Sequence, residues 1–383
     1  MSVVVQKFGG SSVADVPKLE RVADRVVATR ETGADVVVVV SAMGKTTDEL
    51  LALAHQVDDN PPRRELDMLL TTGERVSMAL LSMAIQKRGC DAISFTGSQS
   101  GIMTNDRHFD ARIIEVRPWR VEDELARRRV VIIAGYQGMS YKREITTLGR
   151  GGSDTTAIAM AAALGAERAE IYSDVDGVYS ADPRVVPDAE HLPELTYEQM
   201  QEIAEAGAKV LNSTAVEFAK RSRIAIHARS TFSDGKQTVV HDEAEASGRP
   251  AVIGRKDLAR VTLAGADLGA ALEAVEKLGL SVRQSVVESG RAELVLARGG
   301  PDWDAARAEL RTHGWPVEES LGSVSLVARE LGARPALMGK ALSALTDASI
   351  TPVEVTTAPL RWTALLDPSR VDDAVRAVHA AVG

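Results

Sequence analysis

Two glycine-rich segments are the places where this chain could do chemistry. The first, Lys7-Phe8-Gly9-Gly10-Ser11-Ser12, follows the apolar run Val3-Val4-Val5 and precedes a helical pattern from about Pro17 to Arg30. Glycine lets backbone approach a ligand closely, and the free N–H groups of a helix start attract an anion. A lysine before such a turn supplies a point charge for the negative charge that develops in phosphoryl transfer. On its own, the segment also fits an ordinary strand–turn–helix with a surface lysine. The second segment, Gly149-Arg150-Gly151-Gly152-Ser153-Asp154, leads into an apolar helix over Ala157 to Gly165. Ser153 or Asp154 is expected to cap that helix. Arg150 offers a planar fork suited to a carboxylate. Asp154, beside a phosphate, would orient lysines rather than bind substrate.

Three further segments add candidates. Tyr172-Ser173-Asp174-Val175-Asp176-Gly177-Val178-Tyr179, then Ala181-Asp182-Pro183-Arg184, is rich in turn formers and carboxylates and could hold a nucleoside and face Mg²⁺-bound phosphates. Glu74, at a helix start in Thr71-Thr72-Gly73-Glu74-Arg75, could receive an ammonium, although a carboxylate there also serves the helix dipole. Lys209, in Gly207-Ala208-Lys209, reads on its own as a solvated lysine. Other motifs fail. Gly44-Lys45-Thr46 ends like a P-loop, but the glycine required five residues earlier is Val39. No G-x-G-x-x-G follows the first strand, which removes support for dinucleotide binding. The acidic loop lacks the spaced ligands and terminal glutamate of a calcium site. The seven histidines show no metal-ligand spacing, and no metal site is assigned.

These candidates need a scaffold. The first ~230 residues alternate short apolar runs with longer helical patterns, which predicts βαβ units in a mostly parallel sheet with helices on both faces. Predicted strands include Asp35 to Val40, Val130 to Ala134 and Glu170 to Ser173; predicted helices include Asp48 to Val57 and Thr71 to Arg88. The polar stretch Phe232 to Pro250 reads as a linker, giving domains over 1–240 and 250–383. Beyond it, strand–helix–strand–strand–helix occurs twice, the pattern of two ferredoxin-like α+β units. With 383 residues and 45% hydrophobic content a large core is available. A net charge of −9 argues against nucleic acid or an anionic membrane as partner. The single cysteine, Cys90, allows no internal disulfide and suits a reducing, cytoplasmic setting. The start MSVVVQKFGG does not read as a secretory signal, and the valine run 36–40 is far short of the ~18 apolar residues of a membrane helix.

Taken in order, Lys7 to Val13, Ser41-Ala42-Met43-Gly44, Thr46-Thr47-Asp48-Glu49-Leu50, Gly73-Glu74-Arg75, Phe95-Thr96-Gly97, Gly135-Tyr136-Gln137-Gly138, Thr147 to Asp154 and Tyr172 to Val178 resemble the aspartate kinases of the amino acid kinase superfamily. The resemblance covers about residues 1–232. It implies transfer of phosphate from MgATP to the β-carboxylate of L-aspartate, the first step toward lysine, threonine and methionine. By the same resemblance Lys7 stabilises the transferring phosphoryl group, with Phe8, Gly9 and Gly10 at the nucleotide and Asp154 and Lys209 in catalytic roles. Ser41, Thr47, Glu74, Arg150, Gly151, Gly152 and Ser153 would bind aspartate, Arg150 holding the α-carboxylate and Glu74 the amino group. Ser173, Asp174, Tyr179, Asp182, Arg184 and Lys209 would line the ATP site. A carboxylate is already a nucleophile at pH 7, so no strong general base is required.

The C-terminal part resembles a divergent pair of ACT domains, most clearly in Val324-Ser325-Leu326-Val327 and Val371 to Ala381. Where that family usually has an Asp-Lys-Pro-Gly turn, Gln-Asn and Ser-Thr-Ser-Glu, this chain has Ala264 to Gly269, Gln284-Ser285 and Thr356-Thr357-Ala358-Pro359. These segments grip amino acid effectors in the family, so the departures speak against the familiar lysine or threonine inhibition. Where the family has a His-Pro pair after Lys209, this chain has Leu211-Asn212-Ser213-Thr214, with good helix caps. The expected partners are L-aspartate and ATP with Mg²⁺, with a homo-oligomer, a dimer through the ACT-like units, as default. Two other readings are another amino acid kinase, such as an acetylglutamate or glutamate kinase, and a non-catalytic amino acid sensor.

Overall fold

The computed structural model describes residues 2–149, 151–244, 249–298 and 303–383. Two compact units emerge. The first takes residues 1–178, 191–204 and 209–247, and the second takes 179–190, 205–208 and 248–383.

The chain opens with β1 (Val3–Phe8), α1 (Val16–Glu31), β2 (Asp35–Val40), α2 (Thr46–Val57), α3 (Arg63–Leu70) and α4 (Thr72–Gln86). Next come β3 (Ala92–Phe95), β4 (Ile102–Thr104), β5 (Ile113–Val116), α5 (Trp119–Ala126), β6 (Val130–Ala134), β7 (Gln137–Ser140) and β8 (Ile145–Thr147). Then follow α6 (Gly152–Ala163), β9 (Arg168–Ser173), β10 (Val178–Tyr179), β11 (His191–Leu192) and β12 (Glu194–Leu195). The last of this series are α7 (Tyr197–Ala206), α8 (Ser213–Ser222), β13 (Ile226–Ser230) and β14 (Gln237–Val240).

An eight-stranded sheet in the order β12-β14-β13-β9-β1-β2-β6-β3 forms the centre of the first unit. Every pairing recorded in it is parallel except β13 with β14. The unbroken valines of β2 suit a strand covered on both sides. Val36, Val38 and Val40 share a core with Leu19, Val22 and Val26 of α1 and Leu81 and Ile85 of α4. On the opposite face α6 packs against β1, β2 and β9, its residues Ala157–Ala161 all buried. A separate four-stranded sheet has the order β5-β4-β7-β8, and its strands β7 and β8 carry the chain from β6 to the second glycine-rich loop. The stretch Arg63–Gln86 is long and apolar enough by composition to cross a membrane, but 56% of its most apolar window is buried inside the protein.

The second unit continues with β15 (Ala251–Ala264), α9 (Leu268–Lys277), β16 (Val282–Glu288), β17 (Arg291–Ala297), α10 (Trp303–Thr312) and β18 (Val317–Val327). It ends with α11 (Pro335–Asp347), β19 (Glu354–Thr357), β20 (Arg361–Leu366) and α12 (Val371–Val382). The anticipated strand–helix–strand–strand–helix repeat is present twice, joined into one antiparallel sheet, β16-β17-β15-β18-β20-β19. Each repeat has its own core: Val261, Leu294, Trp303 and Leu310 in one, Leu326, Trp362, Leu345 and Val378 in the other. Ala181 and Val186, from the segment 179–190, join the second core.

Two sequence expectations need correction. The stretch Phe232 to Pro250, read as a linker, contains β14, which pairs with β13 from Ile226↔Val240 to Arg229↔Gln237. Its alternation of Gln237-Thr238-Val239-Val240 buries Thr238 and Val240, a half-buried strand hidden in polar surroundings. The helix expected from Ala157 begins at Gly152, with Gly151 at the N-cap position and no side-chain cap, so Ser153 and Asp154 lie inside the first turn.

Ile132 of β6 has no exposed surface. Ile132→Ala should lower the unfolding free energy of the first unit by about 2–5 kcal/mol. Val57→Ala, at a side chain 86% exposed, should stay within about 0.5 kcal/mol. Urea titration of both variants checks the contrast.

Candidate active site

Parallel strands end together, and in this sheet six of them, β13, β9, β1, β2, β6 and β3, end on one edge, five of which supply the loops described here. Gly9 leaves β1, Ser41 leaves β2, Gly135 leaves β6, Asp174 leaves β9 and Thr231 leaves β13. After β1 the chain builds outward through β2, and later returns to the other side of β1 with β9, so β1 and β9 flank a topological switch point. Open α/β sheets place their ligand crevices there. Loop-to-loop hydrogen bonds fix the edge: Gly9 N donates to Tyr172 O at 3.2 Å, Ser41 N to Phe8 O at 3.1 Å, and Gly44 N to Gly10 O at 3.1 Å. The hydroxyls of Ser12 and Thr231 meet at 2.6 Å.

Lys7, one residue from the end of β1, forms a 2.7 Å ion pair with Asp154 in the first turn of α6, both side chains being mostly buried. Asp154 thus holds a cation at the start of a helix whose own N–H groups also favour negative charge. Gly9 lies against this cation: a β-carbon there would sit 3.4 Å from Lys7 Nζ. At Gly10 a β-carbon would come within 2.9 Å of Ala42 O, so a side chain would push the two loops apart. Phe8 is buried and stacks on Tyr172 with ring centroids 4.7 Å apart, which leaves its backbone, not its ring, to face a ligand.

Glu74, in the first turn of α4, is 3% exposed. One carboxylate oxygen accepts a hydrogen bond from Ala42 N at 3.1 Å; among the described residues the other is buried without a partner. Burial pushes its pKa from 4.5 up to about 7. A carboxyl poised between two charge states, with one oxygen unanswered, suits a cationic ligand group. Ser41 and Thr47 stand half-buried on the same edge, after β2 and in the first turn of α2.

The second glycine-rich loop makes two close approaches. Gly151 has φ +74°, and a β-carbon on it would overlap the side chain of Asn212. At Gly152 a β-carbon would sit 2.7 Å from Leu148 Cβ. Ser153 is buried beneath Gly135. Arg150 lies outside the described residues. Asn212, not singled out in the sequence as a site residue, caps α8 by accepting from Thr214 N and Ala215 N and touches the glycine loop as well. Its cap pattern is the one available signal, and that pattern says nothing of the loop it meets. Lys209 is exposed at the start of the segment that leads to Asn212. Ser173 ends β9 and its hydroxyl accepts from Val175 N, turning the chain at exposed Asp174. Tyr179, Asp182 and Arg184 belong to the second unit, where Asp182 and Arg184 form a 2.7 Å ion pair. Among the described residues no three His, Cys, Asp or Glu side chains form a metal cage.

A cation at a helix start, glycine-lined loops and a buried carboxylate on one sheet edge suit transfer of a phosphoryl group to an amino acid. The model of the amino acid kinase family matches residues 2–230, and the chain belongs to that family. The aspartokinase of Mycolicibacterium smegmatis is 42% identical over 413 aligned positions, which span 100% of this chain and 96% of that protein. The aspartokinase of Mycobacterium tuberculosis is 44% identical with the same coverage. Full-length likeness of this degree places the chain, within its family, among the aspartokinases. The crystal structure of E. coli aspartokinase III in complex with aspartate and ADP superposes with a TM-score of 0.86 at 24% identity, covering 99% of both chains, and speaks for the fold.

The Glu74 pKa has a consequence for stability. The folded state holds this proton more tightly than the unfolded chain, so the contribution is complete below pH 4.5 and is lost as pH rises toward 7. That loss should amount to roughly 3 kcal/mol and level off above pH 7. Urea unfolding without ligand at pH 5 and pH 8 should show it in the wild type and not in Glu74→Gln; parallel behaviour of the two would remove this role for Glu74.

Proposed function

We propose that this enzyme phosphorylates the β-carboxylate of L-aspartate with MgATP, giving 4-phospho-L-aspartate and ADP. The observation that carries the reading is the Lys7–Asp154 pair at the switch point. An aspartate carboxylate oxygen attacks the γ-phosphorus in line, the new O–P bond forms, and the bond to the β-phosphate oxygen breaks to release ADP. The β-carboxylate is ionised at neutral pH, so no base must remove a proton. Lys7 stabilises the charge on the transferring group, and Asp154 keeps Lys7 in place. Gly9 and Gly10, with Ser173, Asp174 and Lys209, line the nucleotide side. On the acceptor side Glu74 takes the ammonium and Arg150 the α-carboxylate, with Ser41, Thr47, Gly151, Gly152 and Ser153 around them. Mg²⁺ arrives with the nucleotide, held by phosphates and water with one or two carboxylates at most.

The setting is cytoplasmic in this proposal, in keeping with a single half-buried cysteine. The assembly is a homo-oligomer through the second unit. In its favour, β16 and β19 are the edges of their sheet and carry the exposed apolar side chains Val287 and Val355, an arrangement that favours pairing with another chain.

ADP release from MgATP should be seen with L-aspartate and not with L-glutamate or N-acetyl-L-glutamate. Lys7→Ala should lower kcat by about 10²–10³-fold while the circular dichroism spectrum stays that of the wild type. Turnover with another acid would assign the site to a different amino acid kinase, and no turnover at all would favour the sensor reading.

A further inference from the structure

Asp67, on α3, has a side chain with no exposed surface. A buried carboxylate is costly unless donors surround it, and three groups surround this one. Phe109 N donates at 3.1 Å, Thr147 Oγ1 donates at 2.6 Å, and His108 Nδ1 lies 2.6 Å away. They come from two stretches far apart in sequence, the loop 105–112 and the end of β8. A further bond from Ala111 N to Thr147 O at 2.8 Å ties the same two stretches. Phe109 is held at φ +73°, a conformation that costs a non-glycine residue on the order of 1 kcal/mol.

A fully buried carboxyl group and a strained backbone residue therefore converge on one place, the entrance to the second glycine-rich loop. Thr147 precedes Gly149 by two residues. Asp110, next to Phe109, lies so close to Gly149 that a β-carbon there would stand 2.8 Å from its Oδ1. The far end of the loop is carried by α6, which packs against the sheet; Thr156 Oγ1 accepts from Tyr136 N at 3.2 Å, and Tyr136 O accepts from Leu148 N at the entrance at 2.9 Å.

We infer that Asp67 is a positioning residue for the acceptor amino acid: through Thr147 and the loop 105–112 it sets the entrance to the segment that carries Arg150. This rests on the reading of Arg150 as the ligand of the aspartate α-carboxylate. Asp67 itself is sealed from solvent and acts only through the loop. Its loss displaces the loop entrance and leaves in place the Lys7–Asp154 end, which α6 holds through its packing on β1, β2 and β9.

The test is steady-state kinetics of full-length Asp67→Ala, Asp67→Asn and Thr147→Val, with thermal melting recorded beside them. Asp67→Ala should raise KM for aspartate about tenfold or more and change KM for ATP less than about twofold, since a displacement of about 1 Å in a positioning element can cost more than this. Asp67→Asn, which keeps one acceptor oxygen, should recover part of the loss, and Thr147→Val should shift KM in the same direction. KM values for aspartate and ATP that rise together, or a lower melting temperature with both KM values unchanged, would overturn the inference. Should Asp67→Ala fail to fold, Thr147→Val decides. Arg150→Ala separates the two levels. If it leaves KM for aspartate unchanged, the reading of the loop is wrong; if it raises KM and Thr147→Val does not, the loop reading stands and the positioning role falls.

Discussion

The ion pair between Lys7 and Asp154 is the contact around which the first unit is arranged. A lysine near the end of a central parallel strand must be held in place, partly shielded from water and aimed at one point. Asp154 does this at 2.7 Å from the opening turn of the helix that packs on that strand. The placement needs β1 to be a central strand with β2 on one side and β9 on the other, so that two sets of loops frame its end. It also needs α6 to cross the sheet closely, which its small, fully buried residues Ala157, Ala159 and Ala161 permit. Bulk at these positions would lift the helix and draw Asp154 away from Lys7.

The remaining site features answer the same geometric demand. Loops from neighbouring strands crowd within van der Waals distance, and glycine appears where a β-carbon would collide, as at Gly10 against Ala42 and at Gly151 against Asn212. Glu74 is the counterpart of Lys7. Its carboxyl sits where burial opposes ionisation, and a ligand ammonium would offset that penalty. Electrostatic preorganisation of this kind costs stability in the empty protein and lowers the cost of ordering charges when substrates arrive. The second unit has a different character, two layered repeats with separate cores, and it takes in the short excursions 179–190 and 205–208 from the kinase part of the chain.

Much of this is legible in the residues. The five valines of β2 and the lysine–glycine turn after β1 declare a buried strand and an anion-binding edge, and the period of the C-terminal segments declares their repeat. Local signals fail where the deciding partner is distant. β14 looks like linker because its polar surroundings dominate the stretch and only pairing with β13 makes it a strand. The start of α6 escapes a reading of propensity because Gly152 is a poor helix former, and packing on the sheet overrides that preference. Asp67 gives no sign at all: its partners His108, Phe109 and Thr147 lie 41 to 80 positions away in sequence, and only the fold brings them together. Nothing in the composition marks 179–190 as belonging with the second unit.

The dependence of the site on Lys7 and Asp154 as one device is open to a direct measurement, a double-mutant cycle on kcat with Lys7→Ala, Asp154→Asn and the pair together. If Asp154 works by holding Lys7, the effects are not additive, and the double variant should be no slower than Lys7→Ala by more than about threefold. Losses that multiply would show two independent contributions and contradict the central role of the ion pair.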